Sequence, residues 1–99
     1  MDDDFSFQPS RVAALRRIRD AHVGNRGSTQ AARLLDALHE LGSVTTVEAV
    51  RFLDCPDPRA RKMALVKAGH QIVMVWDRAE TESGIVHKFG RYSLVRGKA

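Results

Sequence analysis

Three residues in the stretch 58–68 have the types and the spacing to read the edge of a base pair: Arg59, Lys62 and Val66, at i, i+3 and i+7. On a helix that spacing puts all three on one face. In a major groove an Arg or Lys reaches the O6 and N7 acceptors of guanine, and an apolar side chain meets the thymine methyl. Arg61 and Lys67 lie off the centre of that face, where phosphate contacts are expected instead. Further along, Lys88 and Arg91 bring cations to a second element, with His87 beside them and Arg78 near a loop. Cations on such an element run beside a phosphate backbone or into a minor groove, where the potential is negative. Glu80 and Glu82 argue against deep insertion of the loop itself, so contacts are assigned to the strand side chains. Each of these cations also has a plainer reading as part of a solvated face, and His87 as exposed strand filler. The charge distribution favours a polyanionic partner. Residues 58–99 hold nine basic and three acidic side chains, an excess larger than the net +4 of the whole chain.

Other chemistries lack their residues. There is no Gly-rich phosphate loop, no carboxylate pair in a shared stretch, and no Ser or Cys nucleophile with a companion base. A chain of 99 residues commits most of its apolar side chains to a small core and leaves little room for a concave pocket. An enzyme is therefore not expected, and neither is a cofactor. His22, His39, His70 and His87 show no metal-ligand spacing with Cys55. The lone Cys55 excludes an internal disulfide and reads as a half-buried packing residue in an intracellular protein. No apolar run is long enough to cross a bilayer, and the Met-Asp-Asp-Asp start is the reverse of a signal peptide.

The elements that must position the cations follow from local signals. Residues 1–9 read as a mobile acidic tail. Ser10 caps a first helix to about Val23, with Val12, Leu15, Ile18 and His22 on one stripe and Arg11, Arg16, Arg17 and Arg19 on other faces. Gly24-Asn25-Arg26-Gly27 is a turn. The first helix then looks like an appendage that packs on the core, pairs with a second subunit or lies along a phosphate backbone. A compact unit, residues 28–99, begins at Ser28 or Thr29 as cap, with Ala31, Leu34, Leu35, Leu38 and Leu41 inward and Arg33, Asp36 and Glu40 toward water. Gly42 closes this helix. Thr45-x-x-Glu48 has capping-box spacing and opens a short helix to about Leu53, with Val44 as a brief strand before it. Asp57 as cap and Pro58 at the first helical position start a third helix, 58–68, which Gly69 stops. On its wheel Ala60, Met63, Ala64 and Ala68 form the inner arc, bordered by Leu65.

After Gly69 the period changes to two. Residues 70–76 form a strand with Ile72, Met74 and Trp76 on one face, residues 77–84 a long loop, and Ile85 to about Val95 a second strand with a bulge at Gly90. The expected fold is α+β: a winged helix-turn-helix, with a three-helix core and a C-terminal β-hairpin wing, plus an additional N-terminal helix.

Four segments carry a resemblance. Gly42-Ser43-Val44-Thr45-Thr46-Val47-Glu48-Ala49, Pro58-Arg59-Ala60-Arg61, Ala68-Gly69-His70-Gln71-Ile72-Val73 and Arg91-Tyr92-Ser93-Leu94 are similar to the small helix-turn-helix domains of phages, prophages and related mobile elements. The similarity spans about residues 28–95 and implies a winged helix and DNA binding, in a bacterial cytoplasm or phage-infected cell. It places the family's helix-three arginine on Arg61 and its closing strand aromatic on Tyr92. Lys62 and Val66 depart from the pattern, which has an apolar residue at the first position and a polar or basic one at the second.

The reading as a whole is a sequence-specific binder of double-stranded DNA, a regulator of transcription or of a mobile element, with Arg59, Arg61, Lys62, Val66, Lys67, Lys88 and Arg91 at the interface. A homodimer through the N-terminal helix is the expected assembly. The rival readings are a protein-interaction module, for instance one that binds a host factor, and sequence-neutral nucleic-acid binding. The shortage of aromatics argues against a single-strand stacking platform.

Overall fold

A computed structural model describes residues 8–95; the expected acidic tail up to residue 7 lies outside them, as do Arg96 and Lys98. The chain runs α1 (Pro9–Ala21), α2 (Gly27–Leu41), β1 (Ser43–Thr45), α3 (Thr46–Phe52), α4 (Pro58–Lys67), β2 (Ile72–Glu80) and β3 (Val86–Leu94). The strands form one antiparallel sheet in the order β1-β3-β2. Leu15, Ile18, Leu34, Leu38, Val44, Phe52, Leu53 and Leu65 meet in a single core, closed on the sheet side by Ile72 and Tyr92.

The stop and start signals that act within one turn are where the sequence puts them. Gly42 ends α2 at φ 86°, a left-handed conformation that costs a glycine little. The capping box forms in full: Thr45 Oγ1 accepts from the Glu48 N–H, and Glu48 Oε1 accepts from the Thr45 N–H, each at 3.0 Å. Asp57 accepts from the Ala60 N–H and Pro58 opens α4. Two other caps differ. α1 begins at Pro9 after Gln8, one residue before Ser10, because proline itself supplies the helical φ at the first position. α2 begins at Gly27 after Arg26, with no side-chain cap from Ser28 or Thr29.

α1 takes the first of its three expected placements, packing into the core. Leu15 is fully buried and Ile18 nearly so, with Val12 against the same cluster. Its arginines are engaged as well. Arg11 donates through Nε to Glu48 Oε2 at 2.5 Å and through Nη2 to the Ser43 carbonyl at 2.6 Å. Arg17 pairs with Glu40, Arg19 with Asp20, and the Arg16 guanidinium lies 5.5 Å from the Phe52 centroid.

Arg33, expected toward water, is 4% exposed. Its guanidinium donates to the carbonyls of Arg19, His22 and Gly24 behind α1, and to those of Leu53 and Asp54 behind α3. They lie at or just beyond helix ends, where carbonyls lose their intrahelical partners; the Arg19 carbonyl also accepts from the His22 N–H at 3.3 Å. One planar fork of donors therefore ties the ends of two helices to the side of a third. Cys55 is fully buried, more than the half-burial expected. Desolvation pushes its thiol up to about 11, against the opposing charges of Arg61 and Arg33.

The wing is longer than the period-two reading allowed. Nine residues of β2 pair with nine of β3, from Ile72 opposite Leu94 to Glu80 opposite Val86, and only residues 81–85 turn. Asp77, Arg78 and Glu80 look like loop residues because they are polar, yet a hairpin that projects into water has no need of apolar side chains there. Gly90 sits in unbroken register opposite Trp76, so no bulge forms. Its missing side chain instead admits close neighbours. A Cβ there would lie 3.2 Å from Met74 Sδ and 3.3 Å from Thr46 Cγ2.

Candidate nucleic-acid interface

α3 and α4 are joined by a tight turn in which Asp54 takes φ 52°, a conformation that small polar residues tolerate. The Cys55 N–H closes the turn on the Ala49 carbonyl at 3.0 Å. The burial of α4 then decides which of its side chains are offered to a ligand. Pro58 and Leu65 are buried, Arg61 and Lys62 are partly covered, and Arg59, Met63, Ala64, Val66 and Lys67 are exposed. The inner arc drawn through Ala60, Met63, Ala64 and Ala68 is thus corrected: Met63 is 50% exposed, and Ala64 and Ala68 also face water. A methyl group removes little area from water, so the larger Leu65 and Pro58 orient the helix.

Arg59, Lys62 and Val66 nevertheless share a flank of α4. Among the described residues neither Arg59 nor Lys62 has a hydrogen bond or ion pair. Arg61 goes elsewhere. Its guanidinium covers the start of α2, where a Cβ on Gly27 would fall 2.1 Å from Nη1. Its Nε is buried without a partner among the described residues. Lys67 and Val66 stand at the exposed C-terminal end of the helix.

The two wing cations also part company. In an antiparallel ladder, directly opposed residues share a face. Ile72, Met74, Trp76 and Arg78 therefore lie with Tyr92, Gly90 and Lys88 on the face that meets α3 and α4. Lys88 Nζ is 5.4 Å from the Trp76 centroid, a cation–π contact. Arg91 lies on the opposite face with Val75 and Asp77. It donates to Asp77 Oδ2 at 3.0 Å and to Ser43 Oγ at 3.4 Å. The Arg78 backbone N–H and then the Arg91 guanidinium hold the Asp77 carboxyl below its usual range.

Between α3, α4 and the inward face of the hairpin lies a cleft of about 450 Å³. Its walls are Val50, Met63, Met74, Trp76 and Tyr92, with Arg59, Lys62 and Asp57 among the polar lining. The expectation that so short a chain leaves little room for a pocket is corrected by this cleft. It opens because the hairpin stands off α4 instead of packing down on it, leaving Trp76 64% exposed and Met74 36% exposed. Trp76 was expected on the Ile72–Met74 face and is there, but of the three only Ile72 reaches the core. Burial raises the Tyr92 hydroxyl above its ordinary range, partly offset by the nearby charge of Arg59. Among the described residues no helix is long and apolar enough to cross a membrane.

Comparison with known proteins agrees with this architecture. No curated protein and no solved structure matches the chain. A family model described as a winged helix-turn-helix domain matches residues 29–97, which takes in α2, the α3–α4 pair and the hairpin. Helix-turn-helix domains are DNA-binding modules that typically carry no catalytic activity. With the element order, the paired strands and that match in agreement, the chain belongs to the winged helix-turn-helix domain family.

Proposed function

We propose that this protein is a sequence-specific double-stranded-DNA-binding regulator, of transcription or of a mobile element, acting in the cytoplasm. The observation that carries the reading is the pair Arg59 and Lys62. Both are exposed or half-exposed on the second helix of the helix-turn-helix and form no ion pair among the described residues. With Val66 beside them, they have the chemistry of guanine and thymine contacts in a major groove. Lys67 on α4 and Lys88 on the hairpin supply phosphate contacts. Arg61 and Arg91 contribute to the field of the interface; reaching a phosphate requires each to leave its present contact.

A single helix-turn-helix reads few base pairs, so pairing of two copies on half-sites about one helical turn apart belongs to the proposal. The apolar stripe of α1 is occupied by its own core, so an α1-mediated dimer would meet through the charged outer faces of that helix. The phage and prophage resemblance favours a mobile-element role.

Selection from a random duplex pool at near-physiological salt tests the reading. An enriched motif supports it, and Arg59→Ala or Lys62→Ala should then flatten the motif more than it lowers overall affinity. Lys88→Ala should weaken all sequences alike and reduce the salt dependence by about 0.9 log units per log unit of salt for one lost phosphate contact. Bound DNA with no motif would leave only sequence-neutral binding. Failure to bind any duplex at low salt would favour the second reading, docking of a protein partner, for which the exposed Met63, Val66 and Trp76 are the supporting features.

A further inference from the structure

The cleft beside α4 has features that duplex recognition does not use. A helix reads a groove with side chains that protrude, whereas this surface is hollow. Its volume of about 450 Å³ lies within the range of small-molecule sites, about 300–1,000 Å³. The walls are aromatic and thioether side chains, Trp76, Tyr92, Met63 and Met74, and the first of these presents most of its indole to water. Met side chains adapt to irregular ligands and make favourable contacts with rings.

The charge at the rim is net positive, two cations against one carboxylate. Arg59 and Lys62 line the cleft with no ion pair among the described residues. The acid among the lining residues, Asp57, uses its Oδ1 to cap α4 through the Ala60 N–H. Lys88 stands against the Trp76 ring and adds a third cation nearby. An apolar slot bordered by unpaired cations favours a ligand with a flat apolar body and one negative group.

We propose that this cleft binds a planar aromatic carboxylate, its ring between Trp76 and the methionines and its carboxylate on Arg59 and Lys62. The regulatory consequence rests on the DNA-binding reading: because the same two cations serve the groove contact, ligand and duplex exclude one another. The coupling is reciprocal, so whatever the ligand does to duplex affinity, the duplex does to ligand affinity.

Trp76 is the one tryptophan in the chain and reports occupancy directly. The probe is 2-naphthoate, titrated into the full chain while tryptophan emission is followed, with 2-naphthalenemethanol as its neutral counterpart. The expected result is saturable quenching by the carboxylate, with the alcohol binding at least about tenfold more weakly. The double variant Arg59→Gln/Lys62→Gln should keep its thermal melt and lose that preference. Absence of saturation below millimolar probe would overturn the proposal. So would equal binding of acid and alcohol, a result that needs no variant, or an unchanged preference in a folded double variant. A second arm adds saturating 2-naphthoate to a labelled duplex titration and should raise the duplex Kd. If no duplex binds at all, the DNA reading fails while the quenching experiment still decides the cleft. If duplex binds with the same Kd in the presence of probe, the exclusion fails and the site stands apart from DNA.

Discussion

The arginines of α1 and α2 and the cations of α4 and the hairpin tip meet different fates. Arg11, Arg17, Arg19 and Arg33 each find an acceptor within the fold, either a carboxylate or the carbonyls at helix ends. Arg59, Lys62 and Lys67 find none among the described residues. Arginine occurs in both sets, Arg59 in the second. The difference lies in the surroundings. Burying a guanidinium is costly unless fixed acceptors satisfy its donors; Arg33 has them, whereas Arg61 buries its Nε without a partner among the described residues. Where the fold provides those acceptors the cation becomes structure, and where it provides none the charge is left for a partner.

Several substitutions would break or sharpen this contrast. The largest effect is expected at Arg33. Arg33→Ala removes the guanidinium from five carbonyl oxygens, of which the Arg19 carbonyl keeps the His22 N–H, and should lower unfolding free energy by about 3–5 kcal/mol, read from the urea midpoint. Arg33→Lys should recover only part of that, since an ammonium cannot reproduce the planar fork. A loss under about 1 kcal/mol for Arg33→Ala would mean the clamp is incidental.

Next comes the Glu48 node, where one buried carboxylate serves the capping box and the Arg11 pair together. Burial pushes its carboxyl up, but the Arg11 hydrogen bonds, the Thr45 N–H and the charges of Arg11 and Arg91 outweigh that and leave it below the ordinary value. A depressed carboxyl stabilises the fold above its unfolded pKa of about 4.3 and loses that contribution as pH falls through the lower folded value. Thermal melts should therefore decline on acidification below about pH 4.3, and Glu48→Gln should melt lower at neutral pH with a flatter acid limb. We expect Glu48→Gln to cost about 1–3 kcal/mol at pH 7. An acid limb unchanged by that substitution would remove Glu48 from the account.

The smallest effects belong to the cleft. Trp76→Ala, and Arg59→Gln with Lys62→Gln, should each move stability by no more than about 0.5 kcal/mol, because these side chains are partly or largely exposed and make no hydrogen bond or ion pair among the described residues. A loss well above that in either case would make the cleft residues part of the fold rather than of a binding surface.

Signals confined to one helical turn were legible without any structure. Thr45 with Glu48, Asp57 with Pro58, and Gly42 after Leu41 act on backbone groups at most three residues away, so residue type and spacing suffice to locate them. The winged architecture was legible for the same reason, since the change of period after Gly69 separates helices from hairpin. Which flank of α4 turns outward was read only in part. Arg59, Lys62 and Val66 do share a side, but the inner arc was drawn through alanines whose burial contributes little, and Leu65 decided it. The roles of Arg33, Arg61 and Arg91 were not legible at all. Each depends on a partner remote in sequence or on the opposite strand: the ends of α1 and α3, Gly27, and Asp77.

Sequence alone therefore determined the elements, their order and the excess of positive charge toward the C-terminal part of the chain, because short-range sterics and hydrogen bonding set them. Only the tertiary structure decided which cations are consumed and which remain free, and that a hairpin standing off α4 leaves a cleft. Both depend on the acceptors and surfaces that distant segments bring together, and a periodicity carries no information about what lies across the gap.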